Sequence, residues 1–363
     1  MKTIGIAGGG QLGRMLAEAA HVLGFKIVVL DPTPGSPAGQ VADEQIVGDY
    51  KDGAMLRALA EKSDFLTYEI ESVNADVLEE LSTKMPVNPS PKTLGIIKDK
   101  LTQKRFLQEH GIPVAEFSDD VEHFGYPYIL KARSGGFDGR GNALVEKAEA
   151  LQAAQEKLKG APAYAERVVP FEKELAIVAA RTAKGEMQIF PLVETMHKNH
   201  ICHMVLAPAP VSKEVAQKAH DLAQKVLASF DGAGVFAIEM FLANGEVLVN
   251  EVAPRVHNSG HFTIEACHAS QFEQHIRAIS GMPLGNSSMK VPAAVMINIL
   301  GERSGTAEPR GVEEAEKIEG VKVHIYGKME TRPERKMGHL TAVADTLEEA
   351  KEKAEKARAL ISI

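Results

Sequence analysis

This chain has no tryptophan, two cysteines and only 5% aromatic residues in 363 positions. Cys202 and Cys267 are too few for a disulfide framework and lack metal-ligand spacing, which leaves both as core or incidental residues. A cationic excess is also missing. Lys and Arg number 41 against 49 Asp and Glu, and the formal charge of −8 excludes an extended nucleic-acid surface and confines any polyanion contact to a local patch. No hydrophobic run approaches membrane-spanning length, and the N-terminus lacks a signal peptide's apolar segment and cleavage site, so a cytoplasmic protein with no membrane contact is expected. Internal repeats and low-complexity tracts are lacking too. What is present is an ordinary globular composition, 44% hydrophobic and 25% charged, in a chain long enough for two or three domains.

Chemistry concentrates in FAIEMFLANGEVLVNEVAPRVHNSGH, residues 236–261. Apolar runs at 236–242 and 247–252 flank Asn244-Gly245, a strong hairpin signal, and each run carries one glutamate, Glu239 and Glu251. Side chains alternate along a strand, so a two-residue loop would set Glu239 opposite Asn250 and put Glu251 on the other face. We therefore expect a three-residue connection with Gly245 in the left-handed region, holding both carboxylates on one face as hard oxygen ligands for Mg²⁺. The alternative is two solvent-facing strand glutamates. Arg255, His257, Asn258, Ser259 and His261 follow at once, a density of polar groups suited to an anionic substrate.

The chain opens with MKTIGIAGGGQLGRML, a strand running into Gly8-Gly9-Gly10 and a helix from Gln11 to about Leu23. A second strand, Phe25–Leu30, ends at Asp31, near where a dinucleotide fold places its ribose-binding acid. By itself the segment fits an NAD site, another phosphate-bearing ligand, or turn geometry alone. Strands near 2–7, 25–30 and 64–68 alternate with helices near 11–23, 53–62 and 75–83, the pattern of a parallel α/β sheet. Pro86, Pro89 and Pro91 mark a boundary, and Asp99–His110 reads as a helix stopped by Gly111-Ile112-Pro113. Residues 126–146 form two strands around the glycine-rich tip 135–141, a lid whose amides would close over phosphates, with Lys131 and Arg140 supplying charge. A mobile hairpin is the plainer reading. A strand from Ala163 to Val169 comes next, and near the end Lys328, Arg332, Arg335 and Lys336 cluster before a charged helix, 347–360. That cluster is either a solvated surface or a grip for a ribonucleotide phosphate.

Six segments in order, GGGQLGRM, YEIE, KDKLTQK, GGFDGRGN, NEVAPRVHNSGH and RPERKMGH, resemble the N5-carboxyaminoimidazole ribonucleotide synthetase family of the ATP-grasp superfamily, over residues 4 to about 342. The resemblance implies an ATP-grasp fold with mixed α/β and α+β content: a Rossmann-like substrate-binding domain (1–97), a linker helix and small lid domain (98–170), and a larger C-terminal α+β domain (171–363). It implies an ATP- and bicarbonate-dependent ligase that carboxylates aminoimidazole ribonucleotide in purine biosynthesis, with ATP and Mg²⁺ as cofactors, small-molecule substrates and a homodimeric state. Gln11, Leu12 and Glu71 would meet the ribonucleotide, and Lys328 and Arg335 its phosphate. Lys100 and Lys131 would meet the ATP phosphates beneath the lid residues Gly136, Phe137, Asp138, Gly139, Arg140, Gly141 and Asn142. Glu166, Arg167, Val168 and Val169 would read adenine through the backbone. Glu174 would hold the ribose, while His197 and Asn250 complete the nucleotide pocket with Glu251. Metal ligands would be Glu239 and Glu251. Arg255, His257 and Asn258 would face bicarbonate and the reacting amine, with Lys131 and Asp138 also placed in catalysis.

Three positions depart from the family pattern. Lys100 replaces a common arginine, Phe137 a common tyrosine, and Ala253 the asparagine found in many broader ATP-grasp enzymes. Competing readings are an NAD-dependent oxidoreductase resting on Gly8, Gly10, Gly13 and Asp31, a non-catalytic ATP-binding regulator, and a formate-dependent glycinamide ribonucleotide ligase.

Overall fold

The computed structural model describes residues 1–136 and 141–363. The chain begins as a parallel sheet in the order β3-β2-β1-β4, from β1 (Thr3–Ala7), β2 (Lys26–Asp31), β3 (Glu44–Val47) and β4 (Phe65–Tyr68). Between these strands run α1 (Gln11–Val22) and α2 (Gly53–Glu61), with α3 (Ala75–Ser82) and α4 (Pro91–Ile97) after them. Side-chain caps set several starts: Asp52 accepts from Ala54 N–H, and Asn74 from Val77 N–H. The expected strands and helices of this region are present. β3 is the addition, a short half-exposed edge whose polar EQIV hides the period of a strand.

Helix α5 (Lys100–Glu109), capped by Asp99, leads into a four-stranded antiparallel sheet ordered β5-β8-β6-β7. Its strands are β5 (Phe117–Ser118), β6 (Tyr128–Ala132), β7 (Asn142–Val145) and β8 (Ala163–Arg167), with α6 (Leu151–Lys157) packed on β7. β8 ends at Arg167, so Val168 and Val169 lie in the connection beyond it, not in the strand expected through Val169.

The remaining chain builds one nine-stranded sheet and a separate two-stranded one that pairs Gly305–Thr306 with Glu330–Thr331. β9 (Lys173–Arg181), β10 (Met187–Ile189), β11 (Val193–Lys198) and β12 (Ile201–Ala207) precede α7 (Lys213–Ser229). Then come the hairpin β13 (Gly234–Ala243) and β14 (Glu246–Ala253), helices α8 (Thr263–Ala266) and α9 (Gln271–Ser280), and β15 (Ala293–Leu300). The end comprises β16 (Gly305–Thr306), α10 (Val312–Glu316), β17 (Val321–Ile325), β18 (Glu330–Thr331), β19 (Lys336–Ala344) and α11 (Leu347–Leu360). The sheet runs β14-β13-β9-β11-β12-β15-β19-β17, with β10 on β9.

Two contacts fix the sheets around a common cleft. His275 on α9 is fully buried; its Nδ1 accepts from Val235 N–H on β13 (3.1 Å) and its Nε2 donates to Thr67 Oγ1 on β4 (2.8 Å). The Val235 bond determines the tautomer. β14 ends the large sheet, and α5 covers its open edge. Gln103 Oε1 accepts from Val252 N–H (2.8 Å), Gln103 Nε2 donates to the Val252 carbonyl (3.0 Å), and Val249 N–H donates to the Pro113 carbonyl (2.8 Å). Lys100, Gln103 and Lys104 thus share one helical face, turned to the strand that carries Glu251.

Candidate active site

The hairpin turns through Asn244 and Gly245, both at positive φ (51° and 74°), with Ala243 facing Glu246. The connection is therefore two residues, not three, although Gly245 does adopt the left-handed conformation. Pairing is regular as far as Met240↔Val249; the next pair is Glu239↔Glu251, and Asn250 is the extra residue of a β-bulge. A regular ladder would have set Glu239 against Asn250. The bulge absorbs that residue and brings the two carboxylates opposite each other on one face.

Electrostatics separates the pair. Burial pushes the Glu251 carboxyl up, but Lys100 (Nζ–Oε2 2.6 Å) and Lys131 outweigh it and draw it down to about 2. Burial and then the charge of Glu251 push Glu239 up to about 7. Its neighbour His257 (Nε2–Oε1 3.4 Å) is drawn down to about 3 by burial and by Arg255, so it offers a neutral ring. Two facing carboxylates, one of them resisting ionisation, fit a hard divalent cation. Among the described residues no group of three His, Cys, Asp or Glu side chains closes on a metal, so phosphate oxygens and water would complete the shell.

Around this pair stand most of the expected nucleotide residues. Lys131 on β6 meets Glu166 Oε1 at 2.5 Å and Asn250 Oδ1 at 3.3 Å. Glu174 on β9 pairs with His197 on β11; Glu239 helps raise His197, and Glu174 helps raise Glu239. Asn142 faces Lys131 across the lid hairpin, and the Gly141 carbonyl accepts from Ala132 N–H (2.8 Å), closing the hairpin base beside Gly136. Phe137, Asp138, Gly139 and Arg140 lie outside the described residues. Arg167 is turned elsewhere: its guanidinium bonds Glu116 and the Phe124, Gly125 and Pro127 carbonyls, and its N–H donates to the Glu116 carbonyl. Backbone left for a ligand starts at Val168, because Glu166 and Arg167 lie within the β5-β8-β6 ladder.

A second polar cluster stands beside the first. Arg255 Nη2 meets Glu71 Oε1 at 3.0 Å, and Asn258 exchanges amide hydrogen bonds with Asn298 (2.9 and 2.7 Å). The glycine loop forms its floor, yet not as an open amide cradle. Gly8 N–H donates to the Leu30 carbonyl (2.9 Å), Gly9 N–H to Asp31 Oδ2 (2.8 Å) and Gly10 N–H to Glu69 Oε1 (2.8 Å). Asp31 also accepts from Thr33 N–H (2.8 Å), which spends the acid that the dinucleotide reading reserved for a ribose. A phosphate could approach only the first turn of α1, where Gln11 and Leu12 have no intrahelical acceptor for their amides. Burial draws the Lys328 ammonium down to about 8, with Arg335 adding to the effect and Glu69 opposing it. Gln40 donates to the Gly327 carbonyl (2.7 Å), bringing the Lys328 loop to the parallel sheet.

Comparisons with known proteins agree with this layout. A ribonucleotide synthetase preATP-grasp domain matches residues 1–98, an ATP-grasp domain residues 102–272, and a phosphoribosylaminoimidazole carboxylase C-terminal domain residues 294–353. The N5-carboxyaminoimidazole ribonucleotide synthetase of Thermotoga maritima is 46% identical, with a TM-score of 0.91 over 100% of this chain and 99% of that one. The chain belongs to the N5-carboxyaminoimidazole ribonucleotide synthetase family. An Aspergillus clavatus synthase of this family, solved in complex with ADP and 5-aminoimidazole ribonucleotide, is 38% identical with a TM-score of 0.91, covering 99% of this chain and 98% of that one. The phosphoribosylaminoimidazole carboxylase of Candida albicans is 44% identical over 96% of this chain; the chain spans only 65% of that relative's length.

Sequence reasoning missed several members of this synthetase-family site. Glu69, two residues before Glu71, is pushed up to about 7 by burial, against its bond from Gly10. Gln271, fully buried on α9, accepts from His257 N–H (2.9 Å) and donates to the His257 carbonyl (2.7 Å), clamping that residue's backbone. The YEIE segment was a signal for Glu69. Nothing local marks Gln271. Both cysteines are buried, and burial pushes the Cys267 thiol up to about 12.

Proposed function

We propose that this protein carboxylates the exocyclic amine of 5-aminoimidazole ribonucleotide with ATP and bicarbonate, releasing ADP and phosphate, as a step of purine biosynthesis. The observation that carries the reading is the Glu239–Glu251 pair, flanked on one side by Lys100 and Lys131 and on the other by the Arg255–Glu71 pocket. A bicarbonate oxygen attacks the γ-phosphorus, ADP leaves, and the amine nitrogen then attacks the carboxyl carbon of carboxyphosphate, expelling phosphate and losing a proton. Mg²⁺ held by Glu239 and Glu251 would supply charge neutralisation at the transferring phosphoryl group. Lys100 and Lys131 bind and orient the polyphosphate. Arg255 steadies the bicarbonate-derived oxyanion, and Glu71 holds that guanidinium in place. Neutral His257 and Asn258 offer polar contacts without adding charge near the amine.

On this reading residues 1–97 present the ribonucleotide, 98–170 close over ATP, Asp138 takes part in catalysis, and 171–363 supply the metal ligands and the Lys328/Arg335 phosphate grip. Glu174 and His197 hold the nucleotide ribose, Val168 and Val169 read adenine, and two copies associate as a homodimer. The test is ADP release with ribonucleotide, ATP and bicarbonate, each omitted in turn. Release that needs neither bicarbonate nor the aminoimidazole, or that proceeds with formate and glycinamide ribonucleotide instead, overturns the proposal.

A further inference from the structure

Lys104 lies one helical turn beyond Lys100, and its side chain is 2% exposed. Its Nζ sits 2.9 Å from Glu166 Oε2 and 3.4 Å from the Val249 carbonyl. Glu166, 3% exposed, gives its other oxygen to Lys131, which is 12% exposed and faces the cleft. Two ammonium groups therefore share one carboxylate where little water reaches.

Among the described residues, nearby groups add no unmatched counter-charge. Tyr164 OH (3.4 Å from Glu166) and Asn250 Oδ1 (3.3 Å from Lys131) are neutral partners. Glu251 is matched by Lys100 at 2.6 Å, and Asp99 by Arg133 at 2.7 Å. A buried ionic pair meant only for packing needs one cation per anion, since an extra buried charge costs several kcal/mol. Here one positive charge remains, and Lys131 is the member placed to offer it to a ligand. The Glu166 carboxyl, raised by burial but drawn down to about 2 by Lys131 and Lys104, stays ionised as the bridge.

We propose that Lys104 is a positioning residue for the nucleotide site: by engaging one oxygen of Glu166 it prevents that carboxylate from neutralising Lys131, and holds the Lys131 ammonium toward a polyphosphate. The inference rests on the nucleotide reading of the same cleft. Lys104 also ties together the linker helix, the lid-domain strand β8 and the bulged strand β14, so the charge it sets is anchored to all three segments.

The test measures Mg-ATP binding by calorimetry, and both KM values, for wild type, Lys104→Met and Lys104→Arg. The expected result is an ATP Kd weakened about tenfold or more in Lys104→Met, an unchanged ribonucleotide KM, and recovery to within about threefold of wild type in Lys104→Arg. Wild-type-like ATP affinity in Lys104→Met, or equal loss for both substrates, overturns the inference. If Lys104→Met does not fold, Lys104→Gln, which keeps a donor for Glu166 without the charge, must show the same selective loss; normal affinity there also overturns it. Failure of the wild type to bind Mg-ATP rejects the nucleotide reading instead.

Discussion

Binding of Mg-ATP is expected to expel a proton from Glu239. Raising a carboxyl from its ordinary 4.5 to about 7 corresponds to roughly 3 kcal/mol against the charged form, an upper figure because the side chain keeps 28% exposure. A divalent cation between Glu239 and Glu251 removes both causes of that penalty, burial without a partner and the repulsion of Glu251. The bound carboxyl should then return to or below its ordinary range. Proton release follows the fraction protonated beforehand: about 0.9 at pH 6, about 0.5 at pH 7 and about 0.1 at pH 8. Calorimetry in buffers of different ionisation enthalpy, with excess Mg²⁺, reads this number directly. Other groups do not mimic it. His257, at about 3, is already neutral, and Glu69, also near 7, lies beside Gly10 and Arg255, in the pocket proposed for the ribonucleotide. His197, raised by Glu174 against the effect of burial, would take up protons as phosphates approach, the opposite sign. Glu239→Gln should abolish the release. A pH-independent release, or one undiminished in Glu239→Gln, refutes the assignment of this pair to a cation.

Without cation or nucleotide, the raised Glu239 costs stability as pH climbs from about 4.5 through about 7, so in chelator Glu239→Gln should melt a few degrees higher than wild type at pH 8 and equally near pH 4.5. An equal difference at both pH values counts against burial as the cause. Lys328, drawn down to about 8, loses its charge as pH rises through that value; kcat/KM for the ribonucleotide should fall there, and Lys328→Arg should flatten that limb while leaving the ATP KM alone. Gln271→Met breaks both bonds to the His257 backbone and leaves two part-buried groups unpaired, about 1–3 kcal/mol of local destabilisation. We expect kcat to drop at least tenfold with little change in ATP affinity, and wild-type turnover would show that the His257 backbone needs no clamp.

The parallel sheet was legible because its strands and helices carry period and punctuation: GIAGGGQ ends a buried strand in glycines. The convergence of Glu239 and Glu251 was legible too, but not its means. A hairpin can bring residues 12 positions apart to one face by lengthening its turn or by bulging one strand, and Asn-Gly favours the tight turn that moves the correction into the ladder at Asn250. Glycines at 8–10 suggested an anion cradle because the pattern shows backbone freedom and not which acceptors fill it; Asp31 ends a strand 22 residues away, and Glu69 just follows one, 59 residues away.

Helix α5 shows why the remainder required three dimensions. Read alone, KLTQKRFLQE is a polar helix with scattered lysines. In the fold its Lys100, Gln103 and Lys104, at i, i+3 and i+4, seal the open edge of β14, and each meets a different demand: the charge of Glu251, the two backbone groups of Val252, and the carboxylate of Glu166. An edge strand carrying a metal-ligand candidate has to be closed against water and have its charge balanced. One helical face with two cations around an amide does both, because the amide satisfies the ladder while the cations set the charge of the cleft. The periodicity that a sequence reader scores as weak amphipathicity is here a stripe matched to another strand's polar groups, and only the pairing of residues 149 to 151 positions apart makes its purpose visible.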